Sequence, residues 1–583
     1  MRQTVLAPAL DAGNTPNLTD YEEACRTFSW EQAERQFSWS KTQRVNMAHE
    51  CIDRHVEDGY GHKPALHYIE GAHQRVWTFA ELKQETDRWA TAFRNEGVKR
   101  GDIVFIFLPK NADCYIAMLA TVKIGAVAGP LFEAFMEEAV RDRIDDCKGR
   151  FLITDPDLAA RVPRKDLPSL EKVFVTAGPE SCRDNEISWT DILADTLASG
   201  SPTEWVDLDA PLNIHYTSGS TGKPKGIVHA HRAMIHQYQT GHWVLDIKDD
   251  DIYWCTAHPG WVTGTVYAIF APWLNRATIV VNGGRFDADS WYAAIEKAGV
   301  TVWYSAPTAF RMLKAAGDEL VGRYDLSTLR HVLSVGEPLN PEVIYWGVEQ
   351  LGLRIHDTWW MTETGAQLIV NLPSEPIKPG SMGRPFPGID IRILDDDGIE
   401  QAPGDIGHLA IRAPWPGLMR EVWQNEEKYR SYFQFDGWYL SGDLAYQDAD
   451  GYVFFQGRSD DMINSSGERI GPFEVESKLL EHGAVAEAGV VGKPDPLRGE
   501  IVKAFIVLKP GYQNTPELLQ EIRLFVRSQL SAHAAPREIE VLAELPKTKI
   551  SGKILRRQLK TWNADEEPVI NASDSAFSTA IPK

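Results

Sequence analysis

The sequence predicts an α/β protein: parallel-sheet α/β layers over most of the chain, then a small, mostly antiparallel β subdomain, then a small C-terminal α+β domain. Three observations carry this. Short β-rich runs alternate with amphipathic helical runs through the first two thirds of the chain. Between Gly383 and Phe455, prolines, glycines and short strands such as "IDIRILDDDG" and "GHLAIRAP" replace the alternation. After "GRSDD" (Gly457–Asp461) a βαβ-like pattern resumes.

The elements follow in order. "TFAELKQETDRWATAFRNEG" opens with Thr78 and Glu81 at capping-box spacing, and Leu82, Trp89 and Phe93 fall on one helical face. Gly97 can close that helix. "GDIVFIFLP" reads as an apolar strand between Gly101 and Pro109. "CYIAMLATVKIGAVAGPLF" (Cys114–Phe132) is the most apolar stretch, but Lys123, Gly125 and Pro130 interrupt it. It therefore reads as a buried helix followed by a strand, not as a membrane span. "ATIVV" (Ala277–Val281), "VTVWYSAP" (Val300–Pro307) and "LRHVLSVGEPL" (Leu329–Leu339) continue the strand series. Past the β subdomain come "AEAGVVG", "EIVKAFIVLKPG" and the helix "PELLQEIRLFVRSQL". The expected domains are 1–459, 460–563 and a disordered tail over 564–583.

Bulk properties exclude several function classes. The chain has 583 residues, 43% hydrophobic and 24% charged, which suits two or more globular domains. A net charge of -22 argues against a nucleic-acid or membrane surface, which would need a basic footprint. The six cysteines are scattered without CxxC or zinc spacing and read as reduced thiols of a cytoplasmic protein. No signal-peptide core opens the chain and no HExxH-type motif occurs.

The most unusual stretch is "YTSGSTGKPKGIVHAH" (Tyr216–His231). It sets Thr217, Ser218, Gly219, Ser220, Thr221 and Gly222 before Lys223 and Lys225. Free backbone N–H groups beside hydroxyls can hold phosphate oxygens, glycine allows close approach, and lysine supplies charge. A Walker A loop is disfavoured. Pro224 follows Gly222-Lys223 where a Mg-binding hydroxyl is required, and the upstream glycine is absent.

This stretch resembles the phosphate-binding loop of the acyl-adenylate-forming enzymes: acyl-CoA synthetases, adenylation domains and luciferases. Five further stretches agree in the family's order: "SVGEPLNPE" (Ser334–Glu342), "DTWWMTETG" (Asp357–Gly365), "GWYLSGDLA" (Gly437–Ala445), "GRSDDMINSSGERIGPFEVE" (Gly457–Glu476) and "PKTKISGKILRR" (Pro546–Arg557). The resemblance implies a large N-terminal domain with a β-barrel-like subdomain and a mobile C-terminal domain. It also implies a two-step ligase using ATP, Mg²⁺ and coenzyme A. A carboxylate attacks the α-phosphate of ATP, then the thiol of coenzyme A attacks the acyl carbonyl and releases AMP.

By that resemblance, Lys553 bridges the carboxylate and the α-phosphate, Glu363 holds Mg²⁺, and Thr362 with the 217–225 loop cradles phosphate, Thr217 to Lys223 being counted in the ATP site. Gly336, Glu337, Pro338, Asp357, Thr358, Trp359, Trp360 and Met361 belong to the nucleotide site. Asp443 binds the ribose with Arg458 nearby, and Arg469 contacts phosphate. Asp460 is the hinge about which the C-terminal domain rotates between the half-reactions. Thr263, Ser466, Gly467 and Arg527 meet coenzyme A. Val262, Thr263, Val335 and Trp360 form the acid pocket, where an indole leaves room for acetate and little more; propionate, a longer acid or an aromatic acid is the alternative. Lysine acetylation of Lys553, by an acetyltransferase and reversed by a deacetylase, would remove its charge. Two departures from the family pattern stand out: one extra residue between Pro546 and Lys553, and His258 where an acidic residue is expected.

Overall fold

The computed structural model describes residues 5–8, 15–196, 200–218, 224–459, 461–465, 468–496, 498–530, 534–547 and 554–562. The chain divides into two compact units, one of residues 1–441 with 445–454, the other of 442–444 with 455–583. Asp460 and the segment 564–583 lie outside the described residues.

The first unit holds two large sheets. In the nine-stranded sheet the order is Arg384–Pro385, Ile369–Val370, Ile355–Trp359, His331–Val335, Val302–Ser305, Ile252–Cys255, Thr278–Asn282, Pro64–Glu70 and His73–Thr78. Its six central strands are parallel and its edges antiparallel. The eight-stranded sheet carries five short parallel strands, among them Ile103–Phe107 and Val127–Pro130. An antiparallel hairpin, Pro211–Ser218 with Pro224–Ala230, extends it. Strands such as Ile103–Phe107 and His331–Val335 are buried at every residue, as a sheet covered on both faces requires.

Helix Phe79–Asn95 begins with the expected capping box of Thr78 and Glu81, and Gly97 follows it at φ +92°. Helix Ala112–Lys123 is followed by the strand Val127–Pro130, as the apolar stretch predicts. Lys123 does not reach water. Its ammonium is fully buried, 2.6 Å from Asp53 Oδ2 and paired also with Asp87. Two carboxylates offset the cost of burying one cation.

A four-stranded sheet (Ile391–Leu394, Gly407–Arg412, Trp438–Gln447, Val453–Arg458) forms the small β subdomain. In the second unit a five-stranded sheet carries helices Pro472–Glu481, Pro516–Gln529 and Arg556–Lys560. One expectation is corrected here. Val485–Asp495 and Gly499–Leu508 form a long antiparallel hairpin; the parallel crossover comes next, from Gly499–Leu508 through helix Pro516–Gln529 to Glu538–Val541. A three-residue link between two long strands permits only a reversal. All six cysteines are free thiols. Among the described residues no helix is long and apolar enough to cross a membrane.

Candidate active site

Parallel strands release their loops at one edge, and ligands of open α/β sheets gather there. In the nine-stranded sheet, Cys255 is level with Tyr304, Ser305 with Ser334, and Val335 with Thr358. The loops after these strands therefore leave from one place. They carry Val262 and Thr263, then Gly336, Glu337 and Pro338, then Trp360, Met361, Thr362 and Glu363.

The neutral part of this edge is held by packing and hydroxyl bonds. Thr358 Oγ1 donates to the Ser334 carbonyl (2.8 Å) and lies 2.7 Å from the Tyr304 hydroxyl. Gln367 Nε2 donates to Tyr304 (2.9 Å), and the Gln367 backbone N–H donates to the Tyr267 hydroxyl (2.9 Å). Tyr267 meets the Trp360 indole edge-to-face at 5.1 Å and 78°. Tyr267 stands on the helical segment Gly264–Phe270, which follows Val262 and Thr263. Trp360 and Val335 are buried; Val262 and Thr263 are partly exposed. The preceding loop folds on itself so closely that a Cβ on Gly264 would sit 2.1 Å from the His258 carbonyl.

His258 replaces the expected acid without its charge. Its Nδ1 accepts from the Gly260 N–H (2.8 Å) and Nε2 donates to the Leu108 carbonyl (3.0 Å). Burial pushes the imidazole down to about 3, so it is neutral. Asp357 is buried at the end of its strand, and burial holds its carboxyl well above the ordinary carboxylate range. The Glu337 carboxylate is taken by helix Pro307–Ala315, accepting from Thr308 Oγ1 (2.8 Å) and Arg311 Nη2 (2.7 Å). Its side chain is therefore an anchor for its loop. Trp359 ends its strand opposite Ile369.

Segment 361–365 is tied down at successive carbonyls. His229 Nε2 donates to Thr362 O (2.7 Å), the Met419 N–H to Glu363 O (2.9 Å), and Trp415 Nε1 to Thr364 O (2.9 Å). The Met361 N–H donates to Thr364 Oγ1 (2.9 Å). Gly365 adopts φ +74°, and a Cβ there would lie 1.9 Å from the Gly417 carbonyl. Burial lowers His229 to about 4, so a neutral ring makes its bond.

The charged part of the site lies on this segment. Glu363 Oε1 accepts from the Tyr432 hydroxyl (3.0 Å) and pairs with Lys225 Nζ (3.3 Å); Lys225 also bonds the Tyr432 hydroxyl. Among the described residues Glu363 Oε2 takes no hydrogen bond. Lys225 is level with Thr217 across the hairpin, and the Thr217 hydroxyl is buried with no partner among the described residues. Thr217 and Lys225 thus lie on the two strands of a β-hairpin, whereas a Walker A loop leads into a helix. Gly219, Ser220, Thr221, Gly222 and Lys223, and the Ser218 side chain, lie outside the described residues.

In the second unit, Arg458 Nη1 donates to Asp443 Oδ1 at 2.9 Å, so one carboxylate oxygen of the expected ribose ligand is already oriented. Arg527 is exposed near the end of helix Pro516–Gln529. Arg469 stands on strand Glu468–Ile470, with its side chain outside the described residues. Asp460, Ser466, Gly467 and Lys553 are also outside them. Lys547 pairs with Ile554 in an isolated antiparallel bridge, and the Leu555 N–H donates to Pro546 O (2.8 Å).

Sequence reasoning did not single out His229, Tyr267 or Tyr432. His229 sits inside the quoted stretch, but its partner is 133 residues away. Tyr432 lies in "NEEKYRSYFQ", a charged run with no signature.

The family model described as AMP-binding enzyme matches residues 53–423, and that of the AMP-binding enzyme C-terminal domain matches 474–553. The chain is 57% identical over 556 residues to an acetyl-coenzyme A synthetase of Bacillus subtilis (strain 168), covering 95% of this chain and 96% of that protein. It is 41% identical to an acetyl-coenzyme A synthetase of Methanothrix soehngenii, covering 88% and 81%. Among solved structures, a Brucella canis acyl-CoA synthetase matches with TM-score 0.74 and 36% identity over 93% of this chain and 99% of that one. The anthranilate CoA ligase AuaEII, in complex with anthranoyl-AMP, matches with TM-score 0.82 and 30% identity over 91% and 98%.

Proposed function

The chain belongs to the AMP-binding enzyme family, and on that premise we propose that it is an AMP-forming acetate–CoA ligase. Acetate attacks the α-phosphate of ATP to give acetyl-AMP and pyrophosphate; the thiol of coenzyme A then attacks the acetyl carbonyl, giving acetyl-CoA and AMP. The observation that carries the choice of acid is Trp360, buried and braced edge-to-face by Tyr267. Each extra methylene in a filled site costs about 1–3 kcal/mol, which disfavours propionate, longer acids and aromatic acids. Near-full-length likeness to acetyl-coenzyme A synthetases supports the same reading.

The first step brings two anions together and needs electrostatic stabilisation more than proton transfer. Lys553 supplies a point charge between them. Thr217, the 218–223 loop and Thr362 hold phosphate oxygens; Asp443, steadied by Arg458, takes the ribose hydroxyls. Glu363 would hold Mg²⁺, which neutralises phosphate charge when bound. Its Oε2, which takes no hydrogen bond among the described residues, suits that role. No cluster of three acidic, His or Cys ligands occurs among the described residues, but Mg²⁺ commonly takes one or two carboxylates and finds its other ligands on phosphates and water.

Lys553 must withdraw before a thiol reaches the acyl carbon. We therefore assign residues 460–563 to a domain that rotates about Asp460 relative to 1–459, bringing Ser466 and Gly467, with Arg527 and Thr263, to coenzyme A. Asp460→Pro should leave acetyl-AMP formation intact and stop thioester formation; equal loss of both overturns this. Acetylation of Lys553 in the cytoplasm would silence the first step. The function itself is tested by pyrophosphate release from ATP and acetate, together with CoA-dependent AMP formation. Absence of acetate-dependent pyrophosphate would refute it.

A further inference from the structure

We propose that Tyr432 is a positioning residue for the Glu363 carboxylate and, through it, for the Mg²⁺ of the nucleotide. The proposal rests on the ligase reading and goes further by naming a residue that no sequence motif points to.

A buried carboxylate without a partner is costly, and Glu363 is buried. Among the described residues two groups meet its Oε1 and none meets Oε2: the Tyr432 hydroxyl donates at 3.0 Å, and the Lys225 ammonium lies 3.3 Å away. Lys225 in turn donates to the same hydroxyl, so one phenol oxygen fixes both the anion and the cation. The ring itself is held. It is buried, stacked on Tyr439 at 5.4 Å and 18°, with Lys225 Nζ 5.1 Å above its centroid. Its backbone is bonded on both sides: the Tyr432 N–H donates to Tyr429 O (3.2 Å), and the Leu440 N–H to Tyr432 O (2.8 Å).

This arrangement fixes the carboxylate's rotation by one oxygen and leaves the other for a cation. It also keeps Lys225 as a resident counter-charge. With a metal–nucleotide bound, Glu363 would hold the cation and Lys225 would be free to meet phosphate oxygens, so neither charge would be left unpaired. The Tyr432 bond to Oε1 can persist throughout.

The test removes only the hydroxyl. Tyr432→Phe keeps the ring and its stack on Tyr439. ATP binding to the full chain, without acetate or coenzyme A, is followed by calorimetry across a Mg²⁺ titration, and AMP binding is measured without metal. Loss of a group that orients a metal ligand should raise the half-saturating Mg²⁺ concentration about tenfold, with metal-free AMP affinity and melting temperature at wild-type values. An unshifted Mg²⁺ midpoint overturns the proposal, and so does a parallel fall in AMP affinity, which would mark a merely structural tyrosine. A wild-type chain that releases no pyrophosphate from ATP and acetate overturns the ligase reading as well. One that does release it, beside an unshifted variant, overturns Tyr432 alone.

Discussion

Trp360 and Glu363 stand three residues apart on one segment, yet their surroundings are built on different principles. Trp360 packs edge-to-face on Tyr267, and Tyr267, Tyr304, Thr358 and Gln367 form a neutral network of hydroxyl and amide bonds. Glu363 pairs with the Lys225 cation and accepts from the Tyr432 hydroxyl, and the backbone of its segment is tied by His229, Met419 and Trp415. Packing can measure the size of an acid, but it contributes little to a reaction between anions. Fixed charge can lower that barrier, but it cannot tell acetate from butyrate. On the proposed reading, the site separates the two tasks along one strand end.

The sharpest break of this comparison is at the charged end. Lys553→Ala should cut acetyl-AMP formation about 10³-fold while leaving conversion of supplied acetyl-AMP to thioester; rapid-quench assays of each half-reaction would show it. Glu363→Gln should cost about 10²-fold in the first half-reaction and raise the Mg²⁺ requirement, measured by exchange of labelled pyrophosphate into ATP. The neutral end should respond less in rate but differently in kind. Trp360→Gly should lose about tenfold with acetate, move the preference to longer acids and cost about 3–5 kcal/mol of stability, read from a carboxylate series and a denaturant melt.

The smallest effect at neutral pH concerns the buried imidazoles. Burial lowers His215, His236 and His258 to about 3, and His229 and His331 to about 4. Each folded value lies below the unfolded one near 6.5, so the unfolded chain binds more protons as pH falls. Stability is fully present above about pH 6.5 and is lost on acidification toward pH 3–4, by up to about 1.4 kcal/mol per pH unit for each ring. Melts between pH 8 and 4 should be flat above pH 6.5 and fall below it; a flat profile down to pH 4 would contradict neutral burial.

What the sequence revealed was local. The Thr78–Glu81 capping box, the buried strands and the ordered motifs declare themselves within a few residues. What it concealed depends on partners far along the chain. Lys123 read as an interruption because Asp53 is 70 residues away, and Lys225 read only as a cation for phosphate, since its partner Glu363 is 138 residues away. Strand-rich texture after residue 484 did not reveal direction, since a hairpin and a crossover share the same hydrophobic pattern. The two site glycines follow the same rule: Gly264 and Gly365 are demanded by carbonyls that approach in space. Trp360 lies in a stretch the sequence singles out, whereas Tyr267, which packs against it, does not.

The most direct measurement compares Trp360→Gly and Glu363→Gln with the wild-type chain in ATP–pyrophosphate exchange, over carboxylates from acetate to hexanoate and at several Mg²⁺ concentrations. If size and charge are handled separately, the tryptophan variant changes its acid profile at an unchanged Mg²⁺ midpoint, and the glutamate variant changes its midpoint at an unchanged profile. Both variants moving both quantities together would contradict the account.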